Sequence, residues 1–314
     1  MEQSNKTEIT EFFLLGFPSL TELRILFFVV FSIAYCLTVS ENVAIIIIVQ
    51  LHTKLQKPMY FFLSNLSFLE ICYISVTVPN LLVNVITDIR TISFSGCMTQ
   101  LFFFISLMCT ECVLLAVMAF DRYIAVCHPL HYVQIMSKDL CIELAASSWI
   151  SGFVITLIKI YFISGLSFCG PNVINHFFCD ISPVLNLACI DMSLAELVDF
   201  ILALVILLIP LFATVLSYLW IIYSILNIPS SVGRKKAFST CASHLTVVAI
   251  FFSTTLFMYA RPKKAKSMDG NKLVSLLYAV VTPIINPFIY CLRNKEIWKI
   301  IKGYIYRAAP RSDR

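Results

Sequence analysis

Residues 118–127 of this sequence read Met118-Ala119-Phe120-Asp121-Arg122-Tyr123-Ile124-Ala125-Val126-Cys127. An acid and a base stand side by side here, at the end of a long apolar run that begins at Leu101. A charged pair is costly in the hydrocarbon core of a membrane and costs much less where a helix meets water. We therefore expect a membrane-spanning helix to end here. Its charged pair then either faces a protein partner or is an ordinary interfacial ion pair.

The composition places the rest of the chain in a lipid bilayer. Of its 314 residues, 59% are apolar and 13% are charged, and the mean hydropathy is +0.88. A soluble domain carries about 25% charged residues. Runs of about 20 apolar residues predict membrane-spanning helices, and the period-2 pattern of a membrane barrel is absent. We therefore expect an all-α membrane protein with a bundle of seven transmembrane helices. The predicted spans are Ile25–Gln50, Met59–Ile86, Met98–Val126, Cys141–Phe162, Leu197–Leu226, Ala237–Ala260 and Leu273–Leu292.

The distribution of basic residues predicts the orientation. Residues 1–24 lack the basic start and apolar core of a cleavable signal peptide. Asn5 begins an Asn-Lys-Thr glycosylation acceptor, which predicts an extracellular tail. The segments that are then cytoplasmic hold more lysine and arginine, as the positive-inside rule requires, although five basic residues between Arg261 and Lys272 break the rule locally. We interpret the net charge of +5 as this topology bias and not as a sign of nucleic-acid binding.

The segment after the last span has the pattern of an amphipathic helix. Isoleucines and lysines recur at helical spacing between Arg293 and Tyr306, which is typical of a helix lying on the inner leaflet. The predicted organisation is an extracellular tail (1–24), a transmembrane domain (25–292) and an amphipathic eighth helix with a cytoplasmic tail (293–314).

Three further strings of the sequence belong to the same family pattern as residues 118–127. They are Pro-Met-Tyr-Phe-Phe-Leu-Ser at 58–64, Lys-Ala-Phe-Ser-Thr-Cys-Ala-Ser-His at 236–244 and Pro-Ile-Ile-Asn-Pro-Phe-Ile-Tyr at 283–290. Together the four strings resemble the signatures of odorant receptors of the tetrapod-type class II, a branch of the rhodopsin-like G protein-coupled receptors. Three positions depart from the family pattern: Glu41 and Ser253 each replace a glycine, and Phe252 replaces a tyrosine.

The resemblance implies a receptor without enzymatic activity and without a cofactor. Its ligand is a small volatile odorant, and its partner is a stimulatory heterotrimeric G protein that raises cyclic AMP. The implied location is the plasma membrane of sensory neuron cilia.

The resemblance also implies a ligand pocket and a coupling site. An apolar stripe at helical spacing is usually core packing, but in this family it lines an apolar cavity with few polar groups. The implied ligand-binding residues are Phe104, Ile105, Met108, Cys109, Cys112, Ala203, Ile206, Phe252, Thr255, Leu256 and Tyr259. The implied coupling and activation residues are Asp121, Arg122, Tyr123, Tyr218, Asn286, Pro287 and Tyr290.

Four cysteines fall in segments predicted to be extracellular: Cys97, Cys169, Cys179 and Cys189. In an oxidising compartment they indicate two disulfides, and the sequence leaves three pairings open. The resemblance implies Cys97–Cys179 and Cys169–Cys189.

Two acids, Glu70 and Glu111, lie within the second and third predicted spans. Carboxyl groups at this depth are functional candidates. The resemblance places the pair near Asn286, where they share either a sodium ion or a proton; the simpler alternative is two neutral acids hydrogen-bonded to helices.

Three other classes of protein remain alternatives. A secondary transporter would show broken helices and internal repeats, and neither is visible. A membrane enzyme would need a convergent nucleophile or metal set, for which His176 near Cys179 is the only hint. An amine receptor would need an acidic side chain at the position that Phe104 occupies.

Overall fold

The computed structural model describes residues 10–16, 23–87, 90–168, 171–188, 193–259, 272, 275–293 and 295–308. Its long helices form a bundle whose members match the predicted spans, and the amphipathic helix follows as predicted. The helices are α1 (Arg24–Leu51), α2 (Pro58–Ile86), α3 (Phe94–Cys127), α4 (Lys138–Ser164), α5 (Ser193–Leu226), α6 (Ser231–Tyr259), α7 (Thr282–Arg293) and α8 (Lys295–Ala308). Short helical turns at Thr53–Leu55, Tyr132–Ile135 and Ile181–Leu185 lie in the connections.

Within the described residues, α1 to α5 are each long and apolar enough to cross a bilayer. The sixth and seventh helices contribute shorter apolar stretches, Cys241–Phe257 and Ala279–Tyr290. The helices α1, α4 and α5 keep most of their large apolar side chains exposed on the bundle's outside. In water this surface would be unstable, so it belongs against lipid chains.

Local signals fix where the helices begin. The Ser93 hydroxyl accepts a hydrogen bond from the Gly96 amide at the start of α3, and Ser137 accepts one from Leu140 at the start of α4. Pro58 opens α2, where its missing N–H leaves no bond unmade. Each serine thus gives a partner to an amide N–H that has none inside its helix, and the proline has no such N–H.

Helix α3 is the buried centre of the bundle and packs against α2, α4 and α5. Gly152 of α4 makes the closest approach: a Cβ atom there would lie 2.3 Å from the Thr110 hydroxyl and 2.6 Å from the Ser106 carbonyl oxygen on α3. Glycine is therefore required at this crossing, as is usual where two membrane helices come into close contact.

A small sheet closes one end of the bundle, and the sequence analysis did not predict it. Strand β1 (Glu11–Leu14) lies between β2 (Thr91–Ser93), which is antiparallel to it, and β3 (Val173–Ile174), which is parallel to it. Phe12 is fully buried and packs against the rings of Phe94 and Phe168. We call this the sheet end of the bundle, and the opposite end the Arg122 end.

Helix α7 is preceded by a π-helical turn at Leu277–Val281. The Leu277 carbonyl oxygen accepts two hydrogen bonds from Thr282, one from its backbone N–H and one from its hydroxyl at 3.1 Å. Such turns are frequent at functional sites. Pro287, one of the predicted activation residues, lies inside α7.

Candidate functional site

A small cavity lies between α3, α4, α5 and α6 on the sheet side of the bundle's midpoint. Its volume is about 20 Å³, which is room for about one water molecule. Its lining residues are Met108, Cys109, Cys112, Lys159, Ala203, Ile206, Leu207 and Thr255. Six of these were predicted from the resemblance; Lys159 and Leu207 were not.

The cavity wall contains a charged pair that the sequence analysis missed. The Lys159 ammonium lies 2.8 Å from the Asp199 carboxylate and 3.4 Å from the Asp199 carbonyl oxygen, and Lys159 is 2% exposed. An ammonium group has three N–H donors, so these two contacts leave one donor for the cavity. The sequence could have indicated this residue, because Lys159 is a charged residue inside the predicted fourth span and such residues are functional candidates.

Thr255 supplies the second polar group of the wall. Its hydroxyl donates to the Phe251 carbonyl oxygen at 2.7 Å, so toward the cavity it can only accept a hydrogen bond. The remaining lining residues are apolar or thiols. The cavity therefore offers one donor and one acceptor on apolar walls.

The other predicted pocket residues do not line this cavity. The Phe104 ring packs between Tyr73, with ring centroids 5.0 Å apart, and Phe178, at 4.7 Å. Ile105 and Phe252 are buried in the core, and Leu256 packs against it. These four residues therefore belong to the apolar core of the bundle. The side chain of Tyr259 lies outside the described residues.

The carboxyl groups of Glu70 and Glu111 lie in a polar cluster deeper in the bundle. The Asn286 amide donates to Glu70 Oε1 at 2.7 Å, and Asn42 and Glu111 are neighbours of the same carboxyl. Three oxygens in this region are buried and have no hydrogen-bond partner within the described part of the chain: Glu111 Oε1, Asn42 Oδ1 and Asn286 Oδ1. Unpaired buried acceptors are costly, so the cluster suits a cation or added protons.

At the Arg122 end, the acid of the first motif has a closer partner than its neighbouring base. Asp121 is buried and accepts a hydrogen bond from the Tyr132 hydroxyl at 2.7 Å. Its contact with the Arg122 guanidinium is 3.9 Å long, and Arg122 is 12% exposed. Burial, followed by the charge of Asp121, raises the pKa of Tyr132. The Tyr123 hydroxyl lies 3.2 Å from His128 Nε2.

A hydrogen bond joins α5 to α6 beside Arg122. Tyr218 Oη and His244 Nδ1 are 2.7 Å apart, and both residues are buried. The Tyr290 hydroxyl on α7 is also buried and has no hydrogen-bond partner among the described residues. Four predicted activation residues, Arg122, Tyr218, Asn286 and Tyr290, thus lie in the bundle interior or at its Arg122 end.

The sequence and the fold both match known receptors. The family model described as "Olfactory receptor" matches residues 31–307. Human olfactory receptor 6B1 is 62% identical over 313 residues, which is 100% of both chains, and mouse olfactory receptor 6B9 is 57% identical over 96% of this chain and 95% of its own. The crystal structure of squid rhodopsin superposes with a TM-score of 0.70 at 15% identity, covering 92% of this chain and 83% of that one.

The chain belongs to the olfactory receptor family.

This olfactory receptor is thus a multi-pass membrane receptor with a rhodopsin-like fold, and it is not an enzyme. Between its described residues there is no group of three or more His, Cys, Asp or Glu side chains placed to hold a metal ion.

The receptor's sheet end is tied to the bundle by a disulfide between Cys97 and Cys179. The Gln100 side chain strengthens the same connection, because it accepts a hydrogen bond from the Cys179 amide and donates one to the Val76 carbonyl oxygen. Asn5, Cys169 and Cys189 lie outside the described residues. Phe168 pairs with Ala188, the two residues that precede those cysteines, and the second disulfide stays a prediction.

A buried histidine fixes the loop that covers the bundle. His176 Nε2 shares a hydrogen bond with the Ser275 hydroxyl, and its Nδ1 accepts one from the Phe178 amide. Burial, followed by the nearby charge of Lys272, lowers the pKa of His176 to about 3. This histidine was noted in the sequence as a hint of an enzyme, but its contacts make it a structural residue.

Proposed function

We propose that this receptor binds a small neutral volatile odorant in the cavity between α3, α4, α5 and α6, and in response activates a stimulatory heterotrimeric G protein that raises cyclic AMP. The observation that supports this proposal most directly is the cavity itself, which has apolar walls and a single charged side chain, Lys159.

The wall chemistry favours an odorant with one oxygen atom. An acceptor oxygen matches the remaining Lys159 N–H, and an apolar tail matches Met108, Ile206 and Leu207. An amine is disfavoured because the charged lining residue is itself a cation. A carboxylic acid is disfavoured because Asp199 already balances the charge of Lys159.

The small size of the cavity connects binding to signalling. An odorant of several carbon atoms is larger than the present volume, so binding must push apart the helices that line the cavity. A ligand shifts an equilibrium only if it prefers one state over the other. We propose that the odorant prefers a state in which α6 has moved away from α3 and α5.

The proposed G protein site is the Arg122 end. A displaced α6 would break the Tyr218–His244 hydrogen bond and uncover Arg122, with Tyr218 and Tyr290 closing behind it. This assignment requires the Arg122 end to face the cytoplasm and the glycosylated tail with Asn5 to lie outside the cell. The proposed location is the plasma membrane of sensory neuron cilia.

We also propose a sodium ion in the polar cluster. The oxygens that would hold it belong to Glu70, Glu111, Asn42 and Asn286, the type of ligand that hard cations prefer. The ion would neutralise the two acids and hold α1, α2, α3 and α7 together in the resting state.

A screen in cells that report cyclic AMP tests the function. Neutral oxygenated volatiles are expected to raise cyclic AMP, and amines of the same length are not. Arg122→Ala should abolish the response with surface expression unchanged, whereas Lys54→Ala, an exposed cation at the same end, should respond normally. A normal response from the Arg122→Ala variant would make the motif a membrane anchor only.

A further inference from the structure

A second cavity, much larger than the proposed odorant site, lies elsewhere in the bundle. It is an open groove of about 910 Å³ at the Arg122 end, between the last turns of α1, the first turns of α2 and the start of α4. None of the coupling residues line it. Its lining residues are Ile46, Val49, Gln50, Leu55, Gln56, Lys57, Pro58, Phe61, Ser64, Asn65, Phe68, Val133, Met136, Ser137, Lys138, Cys141 and Ile142.

The mouth of the groove is positively charged. The charged residues among those lining residues are two exposed lysines, Lys57 and Lys138. They stand at the N-termini of α2 and α4, helices of 29 and 27 residues, where the helix dipoles add positive potential. The nearest acid in sequence, Asp139, is exposed and does not line the groove. The mouth therefore attracts an anion.

The interior of the groove is apolar and as deep as one leaflet. Phe61 and Phe68 of α2 and Ile142 of α4 form much of its wall, and Phe68 is 53% exposed. Ten residues separate Pro58 from Phe68 on α2, which is about 15 Å along a helix axis. The hydrocarbon core of a bilayer is about 30 Å thick, so the groove reaches to its middle.

We infer that this groove is a binding site for an anionic phospholipid, whose headgroup contacts Lys57 and Lys138 and whose acyl chain lies along Phe61 and Phe68. A soluble anion would use the mouth and leave the apolar wall empty, and a zwitterionic lipid would use the wall and gain little from the lysines. Basic pockets between membrane helices bind anionic headgroups in this way. The site is independent of the proposed odorant function.

Trp149 provides a local reporter for the deep part of the groove. Its ring lies 5.9 Å from that of Phe68, and its Nε1 contacts Asn65 Oδ1 at 3.4 Å. Bromine atoms on an acyl chain quench tryptophan fluorescence at short range. Trp220→Phe and Trp298→Phe would leave Trp149 as the reporting tryptophan of the full-length receptor in nanodiscs.

The experiment compares quenching by brominated phosphatidylserine and by brominated phosphatidylcholine at equal mole fractions. Each lysine near an anionic lipid is expected to raise affinity about fivefold, so the wild-type groove should prefer phosphatidylserine by roughly twentyfold. The double variant Lys57→Gln/Lys138→Gln should lose this preference. The control Arg234→Gln/Lys235→Gln, which removes two exposed charges at the start of α6 that do not line the groove, should keep it.

Three results would overturn the inference: equal quenching by the two lipids, loss of the preference in the control pair, or relief of quenching by soluble glycerophosphoserine, which would indicate a headgroup site without a lipid. Native mass spectrometry of the receptor with all three tryptophans, released from the same nanodiscs, gives a second measurement. The site is supported if the wild-type receptor retains phosphatidylserine and the Lys57→Gln/Lys138→Gln variant does not. Equal retention by the two proteins contradicts it.

Discussion

At the scale of single residues, the buried pair Lys159–Asp199 is the feature that most changes the picture of the odorant site. Among the residues that the sequence analysis assigned to the pocket, Thr255 and Tyr259 are the ones with a hydroxyl group. The structure instead places an ammonium group at the wall and commits the Thr255 hydroxyl proton to its own helix. The pair joins residues 40 positions apart on α4 and α5. That pairing depends on how each helix is rotated in the bundle, which hydropathy does not determine.

Breaking this pair should destabilise the receptor. Lys159→Met leaves the Asp199 carboxylate without its partner, and removing one member of a buried pair costs about 3–5 kcal/mol. Asp199 keeps 17% of its side chain exposed, so we expect a smaller loss of about 2 kcal/mol. Lys159→Met/Asp199→Leu should recover most of it in thermal unfolding of the purified receptor. A double variant less stable than either single variant would contradict this account.

The acid Glu111 should carry the response to sodium. Glu111 Oε1 has no hydrogen-bond partner among the described residues, so we expect a bound cation to stabilise the resting state. Replacing potassium by sodium should then lower basal nucleotide exchange on the G protein about fivefold, which corresponds to a modest coupling energy. Glu111→Gln should remove the effect, and Glu143→Gln, an exposed acid on α4, should preserve it. The sodium proposal fails if sodium does not change the basal activity of the wild-type receptor and Glu111→Gln behaves like wild type.

At the scale of elements, the helices were predictable and the sheet was not. A bilayer allows only continuous apolar runs as spans, so the predicted third span, Met98–Val126, lies inside α3, at Phe94–Cys127. Strand β1 has four residues and finds its two partners about 80 and 160 residues away. No local sequence pattern indicates pairings over such distances, so the sequence analysis predicted this segment only as part of an extracellular tail.

The loop over the sheet end should make stability depend on pH through His176. Its pKa is about 3 in the folded receptor, against 6.5 for an unperturbed histidine. The unfolded state therefore binds the proton first as pH falls, and stability is lost from about pH 6.5 downward, with the loss complete below about pH 3. At pH 5 the loss amounts to about 2 kcal/mol.

Unfolding of the purified receptor at pH 7 and pH 5, with wild type and His176→Gln, measures this contribution. The variant lacks the titrating group, so its change in stability between the two pH values should be about 2 kcal/mol smaller. His131→Gln, an exposed histidine at the opposite end, is the matched control and should behave like wild type. Equal pH dependence in all three proteins would show that folding does not lower the pKa of His176.

At the scale of the whole molecule, our proposal treats the small cavity and the buried polar contacts at the Arg122 end as parts of one two-state system. The cavity holds about 20 Å³, and the Tyr218–His244 bond keeps α5 and α6 together at the other end. Packed interiors do not deform continuously. A ligand that enlarges the cavity therefore favours a second arrangement of α6, and the same displacement opens the Arg122 end.

This link predicts how potency depends on the length of the odorant. Each methylene buried in the cavity contributes about 0.8 kcal/mol, a factor of about four, so potency in a series of linear neutral odorants should rise until the expanded cavity is full and then fall. Met108→Ala removes a side chain from the wall and should move the optimum to longer chains. The control Ile209→Ala changes an α5 residue that is 63% exposed to lipid and should leave the optimum in place. If Met108→Ala leaves the potency of every agonist unchanged, the odorant binds elsewhere in the bundle.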